Sequence, residues 1–417
     1  MLYKFLYGIG QQLFVLFLKG IGQFNGKISR MLLGRAETRQ TIFSFRKKNP
    51  SARLFWFHAA SVGEFEQALP VMQKVKQNDP HCLIGVSFFS PSGMEQKGNH
   101  PLCDLRFYLP ADTPGRMQEL VSELRPAALI LVKYEYWFHL LSACQTNEVP
   151  VFSICCILRE NSFRNFFLKQ HLNHCLPLFR HFFIQNEETG AILSRFGIRN
   201  FTVCGDTRID RVLDIKGQNE GISWLDTWKK EQQLFLIGSA WEEDLEFLRE
   251  YINRISGGTD PKWKVLIVPH EVSEKHLLKM ESVLTFPCNR FSVWDKNQED
   301  CKVLLLDKTG LLSRAYRYAD AAWVGGAFKT GLHNVAEAAV YGIPVGFGPS
   351  YKKFREASDL IAIGLARSFR PGEFPGKFFE EFQKDGAGIN EIRKAADAWF
   401  QSQKGSSKII AEQLLPG

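Results

Sequence analysis

Glu64 stands behind the short stretch His58-Ala59-Ala60 and three residues after Ser61, at the end of the apolar run Leu54 to Phe57. Small residues there, Gly63 included, let a strand turn sharply into a helix and bring a carboxylate to the mouth of the turn. A carboxylate so placed can act as a general base if it comes within hydrogen-bond distance of a substrate hydroxyl. The same Ser61 and Glu64 also fit a capping box, in which the glutamate only bonds back to a cap amide. The pattern leaves both readings open.

A second constellation is Gly325-Gly326-Ala327-Phe328-Lys329-Thr330-Gly331-Leu332-His333-Asn334-Val335-Ala336-Glu337, behind the apolar run Ala321 to Val324. A glycine-rich loop lets backbone approach a phosphate, and a helix beginning at His333 and Asn334 offers free amides and a positive dipole end. Glu337 then either accepts from a ribose diol or closes a capping box with Asn334. Arg208 and Arg211, in Gly205-Asp206-Thr207-Arg208-Ile209-Asp210-Arg211, supply two cations for an anionic donor or belong to a solvated hinge. Ser239 and His270 follow two apolar runs of the second half, and Ser90, Ser92, Gly93 and Glu135 do so in the first half. The nine cysteines form no CxxC pair and lack zinc-ligand spacing, so they read as reduced core thiols. His139, His171, His174 and His181 have no fixed metal-ligand spacing and read as structural. No metal site is expected.

The elements that must position these residues form two series. Apolar runs at Leu54 to Phe57, Leu83 to Phe88, Leu105 to Leu109, Ala128 to Val132, Val151 to Ile157, His181 to Ile184 and Phe201 to Cys204 alternate with amphipathic segments, the pattern of a parallel α/β sheet. The cycle restarts with Leu234 to Ile237, Val265 to Val268, Val303 to Leu306, Ala321 to Val324 and Ile343 to Phe347. The polar stretch at 214–231 is the expected linker. Two such lobes facing one another would bind ligands beyond the carboxyl ends of their strands, where the motifs above lie. Neither opens with GxGxxG, so a dinucleotide oxidoreductase has little support.

The 417 residues carry a formal charge of +8, unevenly placed. Residues 1–53 hold ten Lys/Arg against Glu37 alone, which leaves the rest nearly neutral. Within that basic end, Phe5 to Leu18 is mostly apolar but shorter than the roughly 20 residues needed to span hydrocarbon. No small-residue cleavage site follows, so the segment reads as a retained anchor at a membrane surface, with flanking cations drawn to anionic lipid on the cytoplasmic side. The plainer alternative is a buried first helix with a solvated basic face. A nucleic-acid role lacks any accompanying motif.

Together, His58-Ala-Ala-Ser-Val-Gly-Glu64, Ser90-Pro-Ser-Gly93, Gly205-Asp-Thr-Arg-Ile-Asp210, Gly238-Ser239, Gly325-Gly-Ala-Phe328, His333-Asn334 and Glu337 resemble the 3-deoxy-D-manno-octulosonic acid (Kdo) transferases of lipopolysaccharide synthesis over nearly the whole chain. The resemblance implies a GT-B fold: an anchor and basic segment at 1–35, an acceptor-binding Rossmann-like domain at 36–213, and a CMP-Kdo-binding domain at 232–417 whose last helix has the option of packing back on the first. It implies transfer of Kdo from CMP-Kdo to a lipid A precursor at the cytoplasmic face of the inner membrane, with no nucleic-acid partner and no cofactor. The glutamate matching Glu64 is that family's proposed base, and the second lobe holds CMP. The donor-side set is then Arg208, Arg211, Ser239, His270, Gly326, Ala327, Phe328, His333, Asn334 and Glu337; the acceptor-side set is Ser61, Gly63, Ser90, Ser92, Gly93 and Glu135.

The chain departs from the family pattern at Pro269-His270-Glu271, where many members read Pro-Arg-His-Pro-Glu; at Gly331-Leu332-His333-Asn334, where many read Gly-Gly-His-Asn; and at Lys133-Tyr134-Glu135-Tyr136-Trp137-Phe138-His139, where many read Glu-x-Glu-x-Trp-Pro-Asn. The His333/Asn334 helix start is expected to stabilise departing CMP, and Arg208 or Arg211 to hold the Kdo carboxylate. The helix start behind Ser61 should lower the Glu64 pKa and keep it ionised. Inversion at the anomeric carbon follows if Glu64 activates the acceptor on the face opposite CMP. The rival readings are a GT-B enzyme using another nucleotide sugar and a membrane-tethered nucleotide-sugar binding protein without turnover.

Overall fold

Alternating residues along the central strands divide a sheet into two buried faces. Leu54 and Trp56 join one core while Phe55 and Phe57 join the other, all fully buried. The computed structural model describes residues 2–160, 165–218, 220–257, 262–285, 287–295, 301–329, 331–384 and 386–415. It divides into one unit of residues 1–211 with 403–417 and a second of residues 212–402.

In the first unit, α1 (Leu2–Gly22) and α2 (Gly26–Lys48) precede β1 (Leu54–Ala59), α3 (Val62–Asn78), β2 (Leu83–Phe88), α4 (Pro91–Lys97), β3 (Leu105–Tyr108), α5 (Pro114–Leu124), β4 (Ala128–Val132), α6 (Phe138–Thr146), β5 (Val151–Cys156), α7 (Phe166–Cys175), β6 (His181–Ile184), α8 (Glu187–Arg195) and β7 (Phe201–Val203). The strands are all parallel, in the order β3-β2-β1-β4-β5-β6-β7. The chain reverses its direction of travel across the sheet between β1 and β4, the position where such sheets open a crevice for ligands.

The second unit begins inside α9 (Thr207–Gly217). It continues through α10 (Ser223–Lys229), β8 (Gln233–Ala240), α11 (Glu242–Gly257), β9 (Trp263–Pro269), α12 (Glu274–Val283), β10 (Asn289–Arg290), β11 (Val303–Leu305), α13 (Leu312–Ala315), β12 (Ala321–Val324), α14 (Ala336–Ala339), β13 (Val345–Phe347), α15 (Arg355–Ile363), β14 (Ala366–Ser368), α16 (Gly376–Phe382) and α17 (Ala387–Ser402). Its sheet order, β10-β11-β9-β8-β12-β13-β14, puts the switch point between β8 and β12. The stretch expected as a linker is folded: α10 buries Leu225 and Trp228, and the Trp228 indole donates to the Cys301 carbonyl at 3.0 Å. The last helix, α18 (Ser406–Leu414), lies in the first unit, where Ile410, Ala411 and Leu414 join the core under α3.

Helix α1 turns its polar and aromatic side inward. The Tyr7 hydroxyl donates to Asp112 at 2.8 Å, Tyr3 pairs with His171, and Tyr3 stacks on His174 at 4.0 Å. His139, His171 and His174 thus form part of this seat. Leu13, Leu16 and Phe17 remain about 60% exposed. No helix among the described residues is long and apolar enough to cross a membrane. Part of the basic end is neutralised internally: Arg46 donates to the carbonyls of Leu124, Arg125 and Ala52, and Arg30, Arg39 and Arg53 are ion-paired.

Candidate active site

Glu64 occupies the first turn of α3, at the carboxyl end of β1 and therefore at the first unit's switch point. The Ser61 hydroxyl caps the helix by accepting from the Glu64 amide at 3.4 Å, and Glu64 Oε2 accepts from the Ala60 amide at 2.5 Å. The capping arrangement therefore forms one residue early, and Glu64 makes no other hydrogen bond among the described residues. The β2 loop is tied to the same turn, because the Ser90 amide donates to the Ala60 carbonyl at 3.0 Å. Ser90 also caps α4 through the Gly93 amide at 3.2 Å and lies 3.2 Å from the Ser92 hydroxyl. A side chain at Gly93 would run into Phe88, at 2.7 Å.

Across the switch point, β4 is followed by Lys133, whose left-handed backbone (φ 64°) is the kind of local strain that accumulates at functional turns. Glu135 follows. Its Oε2 is 3.3 Å from His58 Nε2, within ion-pair range but out of line for a hydrogen bond, and the Trp137 indole donates to the same carboxylate. Ser87 accepts from the Trp56 indole at 2.7 Å and meets His58 Nδ1 at 2.8 Å. The Ser87 hydroxyl, taken up by the Trp56 indole as acceptor, is left to donate to Nδ1, and Nε2 faces Glu135.

Burial raises the Glu64 carboxyl above its ordinary value, and the Glu135 charge pushes it further the same way. The Ala60 amide, His58 and Lys133 oppose this without reversing it. The expected lowering by the helix start is thus overturned by desolvation and a like charge brought from another strand. A carboxylate with a raised pKa is a stronger base.

In the second unit, Ser239 (φ 51°) lies near the end of β8 with Trp241 just beyond the strand, and Gly325 and Gly326 (φ 92°) follow β12. Buried Asp244 on α11 clamps the two ends: Oδ2 accepts from the Trp241 and Gly326 amides at 3.0 Å each, and Oδ1 from the Trp323 indole at 3.0 Å. The loops approach so closely that a Cβ on Gly325 would lie 2.4 Å from the Ser239 carbonyl. Trp241 stacks on His270 at 4.7 Å and His270 on His333 at 4.4 Å. Burial, reinforced by neighbouring His270, lowers the His333 pKa to about 4, so its ring is neutral at physiological pH. The Trp241 indole donates weakly to His333 Nε2 at 3.5 Å, which leaves Nδ1 carrying the ring proton. Among the described residues no group of three His, Cys, Asp or Glu is placed to hold a metal.

Residues 35–211 match the family model described as 3-Deoxy-D-manno-octulosonic-acid transferase (kdotransferase). A 3-deoxy-D-manno-octulosonic acid transferase of Bordetella pertussis is 25% identical over 382 residues, with 88% of each chain covered. A relative of the same name from Chlamydophila psittaci is 24% identical over 341 residues, covering 77% of this chain and 76% of its own. The first unit thus carries a Kdo transferase domain, and the chain is similar to Kdo transferases over most of its length. It is accordingly a glycosyltransferase. Its fold is similar to that of the UDP-GlcNAc 2-epimerase from Neisseria meningitidis solved with UDP-GlcNAc, with a TM-score of 0.61 at 16% identity over 88% of this chain and all of the other; the architecture is GT-B.

Each unit gathers its own set of expected residues. Ser61, Gly63, Glu64, Ser90, Ser92, Gly93 and Glu135 lie on the loops behind β1, β2 and β4. Ser239, His270, Gly326, Ala327, Phe328, His333, Asn334 and Glu337 lie behind β8, β9 and β12. Thr330 lies outside the described residues.

Three expectations change. No helix starts at His333: α14 is a single turn from Ala336 with Val335 before it, and the Asn334 side-chain NH2 donates to Glu337 at 3.0 Å while its Oδ1 has no partner among the described residues, so the pair forms a side-chain bond rather than a capping box. Arg208 binds Asp206 through both Nε and Nη2, and Arg211 binds Glu66 at 2.7 Å, so neither cation stands open to an anion without exchanging a partner. Burial pushes the Asp206 carboxyl up but is outweighed by Arg208 and by bonds from Arg208 and Gln67, which hold it at about 2. Glu66 is likewise held below its ordinary value against burial by Arg211 and Lys97. The third change is the direction of the Glu64 shift. Asp244 lies outside every motif of the sequence, and Trp241, Ser87 and His58 lie inside motifs that do not reveal their partners, because the groups they meet come from other elements.

Proposed function

We propose that this chain transfers Kdo from CMP-Kdo to a lipid A precursor, inverting the anomeric carbon, with Glu64 as general base and the second unit binding CMP. The observation that carries this reading is a half-buried, pKa-raised Glu64 at the β1/β4 switch point, in a family whose relatives are named Kdo transferases. Glu64 takes the acceptor hydroxyl proton as the hydroxyl oxygen bonds the anomeric carbon and the bond to the CMP phosphate oxygen breaks. Burial keeps Glu64 basic and the like charge of Glu135 adds to it, while the Trp137 indole holds Glu135 in place. Gly326 supplies backbone close to the departing phosphate, and neutral His333 offers Nδ1–H as a donor rather than as a positive charge. The leaving group is a monophosphate, for which the reading needs no metal.

Helix α1 supports a membrane-surface location at the cytoplasmic face of the inner membrane, because its apolar residues Leu13, Leu16 and Phe17 face outward beside a basic segment. The test is the mass of the product after incubation with CMP-Kdo and a lipid A precursor, with and without EDTA. The parent chain should add Kdo and release CMP in both, and Glu64→Ala should abolish transfer while retaining CMP binding. Near-normal turnover by Glu64→Ala would reduce Glu64 to a helix cap, and consumption of a UDP-sugar instead would replace the donor assignment.

A further inference from the structure

A cavity of about 360 Å³ lies between α1, α2 and α5 of the first unit. Its walls carry the apolar side chains of Val15, Leu32 and Ile42, and its charged groups are Lys19, Arg35, Arg39 and Arg116 with Glu119 and Glu123. Both carboxylates pair with Arg39, at 2.8 and 3.3 Å, which leaves three cations facing the cavity. Arg35 is the unusual one. Its Nε and Nη2 are shielded from solvent and have no hydrogen-bond partner among the described residues. A buried donor left unpaired is costly, and more so when charged, so two on one guanidinium call for an acceptor. Burial and the like charge of Arg116 lower the Arg35 pKa to about 10, which an anion between them would relieve.

The cavity is also connected to the reacting group. The Arg35 guanidinium stands 4.7 Å over the Phe89 ring, Phe89 stacks on Trp137 at 5.6 Å, and Trp137 donates to Glu135, the carboxylate that raises Glu64. Helix α1 gives Val15 and Lys19 to the cavity wall, and the neighbouring Leu13, Leu16 and Phe17 of the same helix are exposed. A ligand that suits all three features has a phosphate for the guanidinium, an alkyl chain for the apolar wall and a sugar hydroxyl reaching toward Glu64. Resting on the function proposed above, we infer that Arg35 and Arg116 form a subsite for a phosphate of the glycolipid acceptor, which sets the acceptor's register against Glu64. Arginine suits the role because its planar fork binds phosphate through paired hydrogen bonds.

The test uses the full chain in detergent micelles, so that no bilayer phospholipid competes. CMP release from CMP-Kdo is followed for the parent, Arg35→Gln, Arg35→Lys, Arg116→Gln and the exposed control Lys27→Gln, on a bisphosphorylated lipid A precursor and on its monodephosphorylated forms. Arg35→Gln should raise the acceptor KM on the order of tenfold or more, with kcat and the CMP-Kdo KM unchanged. Arg35→Lys and Arg116→Gln should give smaller rises, Lys27→Gln none, and the penalty should vanish on the acceptor that lacks the bound phosphate. Arg116 is exposed, so its variant reports even if Arg35→Gln fails to fold. An unchanged acceptor KM in the Arg35 and Arg116 variants of an active parent overturns this inference and leaves the proposed function standing. No turnover by the parent removes both. Loss of binding to phosphatidate-doped phosphatidylcholine vesicles, with the acceptor KM intact in micelles, overturns it in favour of a bulk lipid site; equal inhibition of parent and Arg35→Gln by inorganic phosphate overturns it as well.

Discussion

Asp244 offers a perturbation whose size follows from its bonds. Oδ2 receives two backbone amides, from Trp241 and Gly326, and Oδ1 receives the Trp323 indole. In Asp244→Asn the amide oxygen can keep both backbone donors only if the NH2 group turns toward the indole N–H, where two donors meet. One unsatisfied buried donor costs about 1–3 kcal/mol. The lower part of that range applies, because burial already holds the Asp244 carboxyl above its ordinary value against the three bonds, and the neutral amide escapes that cost. Residues 212–402 form a unit in the size class where 1 kcal/mol moves the thermal midpoint by about 2–4 °C, so the midpoint should fall on the order of 5 °C. Asp244→Ala orphans all three donors and should cost on the order of 5 kcal/mol. The discriminating experiment is a double-mutant cycle by urea unfolding of the full chain, with CMP affinity measured by calorimetry on each variant. Trp323→Phe removes the conflicting donor, so Asp244→Asn with Trp323→Phe should be about 1–2 kcal/mol more stable than the two single costs predict. Additivity within about 0.3 kcal/mol would refute the donor conflict. An undiminished CMP affinity in Asp244→Ala would refute the claim that the clamp shapes the donor site.

Two further outcomes can be checked directly. The acid limb of kcat/KM should lie above the ordinary carboxylate range, with activity lost as Glu64 gains its proton on falling pH; Glu135→Gln removes the like charge and should move that limb to lower pH. A pH profile in which the limb stays put or rises would show that Glu135 does not set the base. Gly326→Ala should weaken CMP binding on the order of tenfold, since its φ of 92° strains any L side chain and the new Cβ would lie 2.6 Å from the Gly331 carbonyl. Calorimetry showing parental affinity would exclude close backbone approach at that loop.

The parallel strands were legible because both of their faces are buried, so each reads as a short continuous apolar run. Leu83–Phe88, Ala128–Val132, His181–Ile184 and Ala321–Val324 match their expected bounds. β10 and β14 escaped notice because they are two- and three-residue edge strands containing Asn289, Arg290 and Arg367. The motifs were legible for a related reason: a residue just after a parallel strand lies at the ligand-facing edge whatever the rest of the fold does. The short α14 was not, because Leu332 is buried at 3% exposure and draws the chain inward before a helix can begin.

What sequence position cannot carry is the sign of an electrostatic effect, and Glu64, Arg211 and Arg35 illustrate why. Each sits in a local context that suggests one behaviour: a helix start that should acidify Glu64, a loop cation open to an anion, a solvated basic segment. Burial by the rest of the fold shifts Glu64 and Arg35, and partners from elsewhere in the chain act with it: Glu135 from behind β4 on Glu64 and Arg116 from α5 on Arg35, while Glu66 from α3 takes up Arg211. A net charge near +9 on residues 1–53 therefore says little about function until each cation's partner is known. Arg46 is consumed by the carbonyls at the end of α5 and Arg39 by two glutamates, whereas Arg35 keeps buried donors unpaired. A solvated cation loses little when it lacks a partner, because water supplies one. A shielded cation does not have that recourse, so Arg35 rather than the summed charge is where an anionic ligand should make the largest difference.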